Sequence, residues 1–224
     1  MLRECEDHGY YRDDFCPICG EEGKFLMSDY EVERLGRTMA SILRHGKFNL
    51  PMDDQGFVDM RDIVSEVKAN NNKMRWLRTH HIEAMVETDP KGRYQISGGD
   101  VRATYGHTIE LSLRLPVDDI PEFLFYPVKE EDLDKVLNDG IFPTDRSMVH
   151  LSRSFADAVK AGTVRDDDPI ILVVDTVGCI DAGIEIGKAA KTVYLCDQVP
   201  SEFLQIADAA EWDDGDGDDD DEED

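Results

Sequence analysis

Apolar residues first recur at helical spacing at Val32, Leu35, Met39, Ile42 and Leu43, a stripe along one face of a helix. Just before it, Ser28-Asp29-Tyr30-Glu31 forms a capping box, in which the serine and the glutamate three residues on satisfy free amides at a helix start. Gly46 is placed to close the other end, because glycine tolerates the left-handed backbone on which helices often terminate. Arg44 and His45 then fall in the last turn. Further on, 56–60 predicts a short strand and 61–69, with Ile63, Val64 and Val67, a second helix. After a break at Asn70-Asn71-Asn72, a third helix is expected over 74–87 through Leu77, Ile82, Met85 and Val86. His80 and His81 lie mid-helix, where at least one must face outward, and read as surface residues rather than ligands. Arg93-Tyr94-Gln95-Ile96-Ser97 and Val101-Arg102-Ala103, joined through Gly98-Gly99-Asp100, predict a hairpin.

Helix, strand, two helices and a hairpin is the order of a winged helix, a shape used for nucleic acids and for proteins alike, so function does not follow from it. Leu115-Pro116-Val117-Asp118-Asp119-Ile120-Pro121 reads as a linker. Beyond it the pattern becomes β-rich, with strands expected over 122–126, 149–152, 169–175 and 192–195 and helices over 130–138 and 154–161. The expected fold class is α+β, with an N-terminal extension over 1–27, a winged-helix lobe over 28–114, the linker over 115–121, a β-rich lobe over 122–208 and a disordered acidic tail over 209–224. No Gly-x-Gly-x-x-Gly opens a helix and no Walker lysine is present, so any nucleotide is held in another way.

Charge changes this picture. Fifty Asp and Glu against 24 Lys and Arg give a formal net charge of −26 over 224 residues. The segment 211–224 holds eleven of the acids, so the body still carries −15. A tail alone explains less than half the imbalance, and arginines outnumber lysines, 14 to 10. The composition reads as adaptation to concentrated salt, where carboxylates hold hydration and net charge keeps the chain in solution; an ordinary acidic interaction protein is the rival. Acidity does not exclude nucleic acid, since the Debye length shrinks to about 3 Å at 1 M salt and distant carboxylates then repel weakly. Without a transmembrane-length apolar run or a signal-peptide core at Met1-Leu2-Arg3-Glu4-Cys5, a cytoplasmic protein with no membrane contact is expected, and no obligate protein partner is evident.

Cys5-x2-His8 and, seven residues later, Cys16-Pro17-Ile18-Cys19-Gly20 present two short-spaced ligand pairs with a knuckle glycine. Three thiolates and an imidazole, Cys5, His8, Cys16 and Cys19, suit one structural, tetrahedral zinc ion. A redox dithiol at Cys16 and Cys19, with His8 incidental, is the alternative; four ligands within fifteen residues, where little else could form a core, favour the metal. Cys179 and Cys196 read as small core residues.

Two basic islands remain, Leu43-Arg44-His45-Gly46 and Arg102-Ala103-Thr104-Tyr105-Gly106-His107. Cations at a helix end complement its dipole, but two such islands beside glycines in an acidic chain point to an anionic ligand. With Gly140-Ile141, Arg146, Val149-His150-Leu151-Ser152, Ala161-Gly162-x-x-Arg165 and Val199-Pro200, their order and spacing resemble the RNA 2′-phosphotransferases over about 35–204. The resemblance implies a winged-helix lobe for RNA and an ADP-ribosyltransferase-like lobe that grips NAD⁺. It also implies removal of a 2′-phosphate from RNA, as at a tRNA splice junction. In that chemistry the phosphate attacks the nicotinamide ribose and expels nicotinamide. The neighbouring 2″-hydroxyl then takes the phosphate, giving 2′-hydroxyl RNA and ADP-ribose 1″,2″-cyclic phosphate. By motif position the catalytic residues are Arg44, His45, Arg102 and Arg165, and the NAD⁺ contacts are Gly140, Arg146, His150 and Ser152. His107 is expected either to brace the Gly106 turn or to touch substrate. Tyr126-Pro127-Val128 and Lys191-Thr192-Val193 depart from the family's usual His-Gly-Thr and Asn-Gly-Val. The other classes compatible with these features are a different ADP-ribosyltransferase and a non-catalytic zinc and winged-helix RNA-binding protein.

Overall fold

The N-terminal segment has hydrophobic contacts of its own. In the computed structural model, which describes residues 1–212, β1 (Leu2–Cys5) lies between β2 (Gly9–Tyr11) and β3 (Lys24–Met27) in an antiparallel sheet. Leu2, Leu26 and Met27 are buried in the same core as the helices that follow. The expectation that this segment has little to bury is thereby corrected: three apolar residues are too few to show a period, yet they anchor the sheet.

The capping box forms as expected and starts α1 (Asp29–Leu43): Ser28 Oγ accepts from the Glu31 amide at 3.3 Å, and the Glu31 carboxylate from the Ser28 amide at 2.9 Å. Leu35, Met39, Ile42 and Leu43 are buried, and each such side chain contributes roughly 1.5–3 kcal/mol. Gly46 has φ +65°, the left-handed conformation that ends the helix. Then come β4 (Val58–Asp59), α2 (Met60–Asn70), α3 (Thr79–Glu87), β5 (Tyr94–Ser97) and β6 (Asp100–Ala103). The last two form the expected hairpin, with Ser97 opposite Asp100 across Gly98-Gly99 and β4 on the other side of β6.

The third helix is shorter than its apolar pattern implies. Residues 72–74 form a 3-10 turn, and α3 begins only at Thr79. Met74 and Leu77 are buried, but from a turn. The Arg78 guanidinium donates to the carbonyls of Arg75, Trp76 and Leu77, groups that a continuous helix would have bonded itself. His81 is also corrected, because it is buried at 8 % exposure and its Nδ1 accepts from the Arg78 amide at 3.0 Å as part of the cap. Burial pushes its imidazole down to about 4.

Contacts divide the chain into two compact units, one comprising Met1–Leu115, Asp145–Ser147 and Ala189–Lys191, the other the remaining described residues from Pro116 onward. The second unit contains β7 (Phe123–Val128), α4 (Leu133–Asp139), β8 (Val149–Ser152), α5 (Phe155–Gly162), β9 (Ile170–Asp175), α6 (Thr176–Asp181), β10 (Gly187–Lys188), β11 (Val193–Cys196), β12 (Leu204–Ile206) and α7 (Ala209–Trp212). Its six strands pair antiparallel in the order β10-β11-β8-β7-β9-β12. Alternation sorts the strand residues to two faces. Leu124, Leu172 and Val174 pack with Leu151 and Tyr194, whereas Phe125, Ile171 and Val173 pack with Ala158 of α5.

Residues 209–212, expected within a disordered tail, form a helical turn. Trp212 closes α7 with its ring centroid 5.3 Å from Phe123 and 5.4 Å from Phe125, so 209–212 belong to the fold. The rest of the acidic run lies outside the described residues. Cys179 and Cys196 are buried free thiols, as expected of core positions. Among the described residues no helix is long and apolar enough to cross a membrane.

Candidate functional site

The two basic islands meet in the first unit. Arg44 follows the last turn of α1, and its carbonyl accepts from the Thr108 amide at 3.0 Å, tying the helix end to the 104–108 segment. Its guanidinium lies over the Tyr105 ring, 4.8 Å from the centroid. It also lies against Gly106, where a Cβ would come within 3.1 Å of Arg44 Nη1; with φ +85° this position needs glycine on two counts. Arg44 Nε and Nη2 are buried and have no hydrogen-bond partner among the described residues. His45 is exposed, with Nδ1 3.0 Å from Thr108 Oγ1.

Arg102 is carried by the hairpin and is 8 % exposed. Its Nε donates to Oε1 of Gln95, its cross-strand partner, at 2.9 Å, and Nη1 donates to the Gln55 carbonyl at 3.2 Å. The fork lies over Phe57 at 4.8 Å. The 53–57 turn is itself braced, since the Asp53 carboxylate accepts from the amides of Gln55 and Phe57. Gln55, Phe57, Gln95 and Tyr105 thus position the cations. Sequence reasoning assigned them no role, and only the neighbouring glycines, Gly56 and Gly106, could have drawn attention to them.

His107 is 2 % exposed and its Nε2 has no partner among the described residues. Burial, then the nearby charges of Arg44, Arg102 and His45, push its imidazole down to about 4, so it is neutral at pH 7. Its carbonyl accepts from the Ser147 amide at 3.0 Å. A neutral buried imidazole here adds no further positive charge to Arg44 and Arg102.

His81 and His107 together make stability depend on pH. The unfolded chain protonates each near 6.5, the folded chain only near 4. Between those values the unfolded state binds more protons, so stability is full above about 6.5 and falls as pH falls. Denaturant titrations are expected to show this slope between pH 6.5 and 5, and His107→Gln is expected to remove about half of it. A His107→Gln slope equal to that of the parent would show that this imidazole is not buried neutral.

The other candidate residues are distributed as follows. Arg146 is exposed and falls in the short 145–147 segment that belongs to the first unit. Gly140, His150, Ser152 and Arg165 belong to the second. Arg165 is exposed in the turn after α5, its amide bonded to the Gly162 carbonyl at 2.8 Å. His150 and Ser152 lie on β8; His150 Nδ1 donates to the Met148 carbonyl at 2.9 Å, and Ser152 is buried opposite Val193 and Phe125. Gly140 and Ile141 meet Val199, with the Ile141 and Val199 backbones exchanging bonds of 2.8 and 2.9 Å. A Cβ on Gly140 would come within 2.5 Å of the Val199 carbonyl oxygen, and φ is +92°. Gly140→Ala is therefore expected to destabilise the protein by about 2–4 kcal/mol, measured by denaturant unfolding; a change under about 0.5 kcal/mol would mean this close approach relaxes freely. Pro127 of the departing Tyr126-Pro127-Val128 stretch sits in β7 opposite Ile171 of β9 and beyond Phe125, the residue that pairs with β8.

Cys5, His8, Cys16 and Cys19 come together with all four ligand atoms within 4.8 Å of one another. Amides of Cys19 and Ile18 point at the Cys16 sulfur and push that thiol down to about 7, a knuckle closed by the Gly20 amide on the Cys16 carbonyl at 2.8 Å.

Two guanidinium groups whose placement the fold fixes beside a neutral imidazole make the first unit suited to an anion of phosphate type. The description "RNA 2′-phosphotransferase, Tpt1 / KptA family" matches residues 30–198, and the chain belongs to that family. Among its relatives are probable RNA 2′-phosphotransferases of Thermoplasma volcanium, 39 % identical, and Thermoplasma acidophilum, 40 % identical, each aligned over 94 % of this chain and 89 % of the relative. One from Methanosarcina acetivorans is 35 % identical over 92 % of this chain and 99 % of its own length.

Proposed function

We propose that this protein removes a 2′-phosphate from RNA by transferring it to NAD⁺, with Arg44, His45, Arg102 and Arg165 as catalytic residues. The observation that carries the reading is Arg44, a half-buried residue whose guanidinium nitrogens Nε and Nη2 are buried and have no hydrogen-bond partner among the described residues. Such groups cost about 1–3 kcal/mol or more when unsatisfied, a cost that a bound anion removes. Arg102, held through Gln95 and Gln55, is oriented to grip phosphate oxygens with the remainder of its fork. His45, exposed and fixed through Thr108, is placed to add a hydrogen bond or move a proton at the transferred group. Arg165 adds a third guanidinium by its place in the family's motif order.

Gly140, Arg146, His150 and Ser152 are proposed to serve NAD⁺, which as co-substrate supplies the ribose carbon that nicotinamide leaves and the hydroxyl that takes the phosphate. The His150 Nδ1 bond fixes its tautomer, a condition for a directed contact. The N-terminal cluster is proposed to hold a structural zinc ion. Tetrahedral ligation with Zn–S near 2.3 Å and Zn–N near 2.0–2.1 Å needs S···S of about 3.8 Å and S···N of about 3.6 Å. Cys5 and Cys19 sulfurs lie 3.8 Å apart, and His8 Nδ1 is 3.3 Å from Cys5 and 3.6 Å from Cys16. The donor set fits. Salt adaptation of the acidic surface and a winged-helix role for the helices and hairpin of the first unit belong to the same reading.

The test is mass spectrometry of small products after incubating zinc-loaded protein with NAD⁺ and an oligonucleotide carrying one internal 2′-phosphate. ADP-ribose 1″,2″-cyclic phosphate, nicotinamide and 2′-hydroxyl RNA are expected. Phosphate retained on an ADP-ribosylated acceptor would instead mark a different ADP-ribosyltransferase, and RNA binding without NAD⁺ consumption a non-catalytic RNA-binding protein.

A further inference from the structure

Positive charge is unevenly placed in this acidic chain. Residues 1–115 carry 16 of the 24 Lys and Arg but only 20 of the 50 Asp and Glu, a net charge of −4 against −22 for the remainder. Two stretches contain no acid at all, 34–52 and 67–82, and each holds four Lys or Arg. The fold brings them side by side. A groove of about 370 Å³ on the exposed side of α1 is lined by Tyr30, Arg34, Arg37 and Ser41 of the helix, Lys47 just after it and Lys73 from the second stretch.

Arg34, Thr38 and Ser41 follow at intervals of four and three within α1, which keeps them on one line along the helix, and His45 comes four residues on, just past the helix end. From Arg34 to the helix end at Leu43 the line runs about 14 Å at 1.5 Å per residue, the reach of about two nucleotides of extended RNA. Thr38 and Ser41 hydroxyls donate to the carbonyls of Arg34 and Arg37, so the donors left to a ligand are those of the groove's cations Arg34, Lys47 and Lys73, with Arg37 ion-paired to Glu33. Arg34 is steadied by Nη2 on Asn71 Oδ1 at 2.9 Å. Tyr30, 65 % exposed at the far end, offers a ring on which a base can stack.

We infer that this groove binds the phosphodiester backbone of single-stranded RNA adjoining the nucleotide whose 2′-phosphate is removed. The inference rests on the proposed reaction for its direction, because α1 runs from Arg34 towards the proposed catalytic residues Arg44 and His45 at its end. It makes the substrate a strand of several nucleotides rather than a terminal residue alone. Recognition through phosphates and one stacking ring is tolerant of sequence.

The test compares the full-length, zinc-loaded protein with the double variant Arg34→Gln/Lys73→Gln at 0.15 M salt. The substrates are a 2′-phosphorylated dinucleotide and a 2′-phosphorylated octanucleotide with the same central step. For the octanucleotide KM is expected to rise at least tenfold with kcat unchanged, while both constants for the dinucleotide stay as in the parent. The salt dependence of octanucleotide affinity is expected to lose a slope of about 1.4, from two phosphate contacts at about 0.7 each. The pair Arg37→Gln/Lys47→Gln repeats the test without touching the Asn71 bond. Unchanged octanucleotide KM in both double variants, or equal losses on both substrates, would overturn the inference. Should the parent turn over neither substrate, the proposed reaction fails, and the groove is read separately by fluorescence anisotropy with an unmodified single-stranded octanucleotide. There a tenfold loss in the variants supports it and an unchanged affinity overturns it.

Discussion

Arg102→Lys is expected to lower the single-turnover rate by two to four decades while the melting temperature moves by only a few degrees. Lysine keeps the charge and much of the stem, so packing over Phe57 and the electrostatics near His107 are largely retained. What it lacks is a planar fork. Nε and Nη1 of Arg102 are committed to Gln95 and Gln55, which orients the other donors, and an ammonium has no such built-in direction. Losing two charge-assisted bonds of roughly 1.5–3 kcal/mol each corresponds to that rate loss at 1.36 kcal/mol per decade. Arg102→Ala is expected to be slower still, and less stable, because Gln95 loses its partner. A lysine variant within a few-fold of the parent rate would show that Arg102 supports the hairpin and takes no part in the transfer.

Removing the zinc ion proposed for Cys5, His8, Cys16 and Cys19 is expected to produce the largest change in stability. Chelation, or Cys16→Ser, should lower the melting temperature by more than 10 °C, read by calorimetry with metal content measured on the same samples. Structural zinc sites contribute about 10–16 kcal/mol in small finger peptides, where the ion is most of the fold. Here the ligand loops share a core with α1 through Leu2 and Met27, and Arg12 reaches Thr88 Oγ1 at 2.9 Å and the Met85 carbonyl at 3.2 Å. Loosening the cluster therefore loosens the first unit, including the end of α3. Cys179→Ser is expected to leave metal content unchanged. A chain that purifies without zinc and melts at the same temperature with chelator, but shifts with reductant, would identify a redox dithiol at Cys16 and Cys19.

Local chemistry made much of this fold readable from sequence. Capping at Ser28, the left-handed stop at Gly46 and the hairpin turn through Gly98-Gly99 are each decided by a few adjacent residues, and the structure has them where the sequence implies, with Asp100 joining the strand instead of the turn. The start of α3 was not readable, because Met74 and Leu77 have helical spacing and the decisive contact is the long Arg78 side chain folding back on three carbonyls. Short edge strands such as β10 and β12 owe their existence to neighbours distant in sequence, against which two or three residues carry no period of their own. In the candidate site, residue types were legible and relations were not. Two arginine and histidine islands stand out in an acidic chain, but nothing local says that the Arg44 guanidinium rests on Gly106, or that His107 is buried and neutral. Arg146, read alongside the second lobe's residues, falls with the first unit for the same reason: three residues in a connecting stretch have no pattern to say which side they join.

Recognition of a 2′-phosphate by Arg44 and Arg102 is the step on which the proposed reaction depends most, and affinity measures it without turnover. Calorimetric titration, in the absence of NAD⁺, of one trinucleotide with and without its internal 2′-phosphate is the direct measurement. The phosphorylated form is expected to bind at least tenfold tighter, with that difference collapsing in Arg44→Gln. Equal affinity of the two forms for the parent protein would contradict the account.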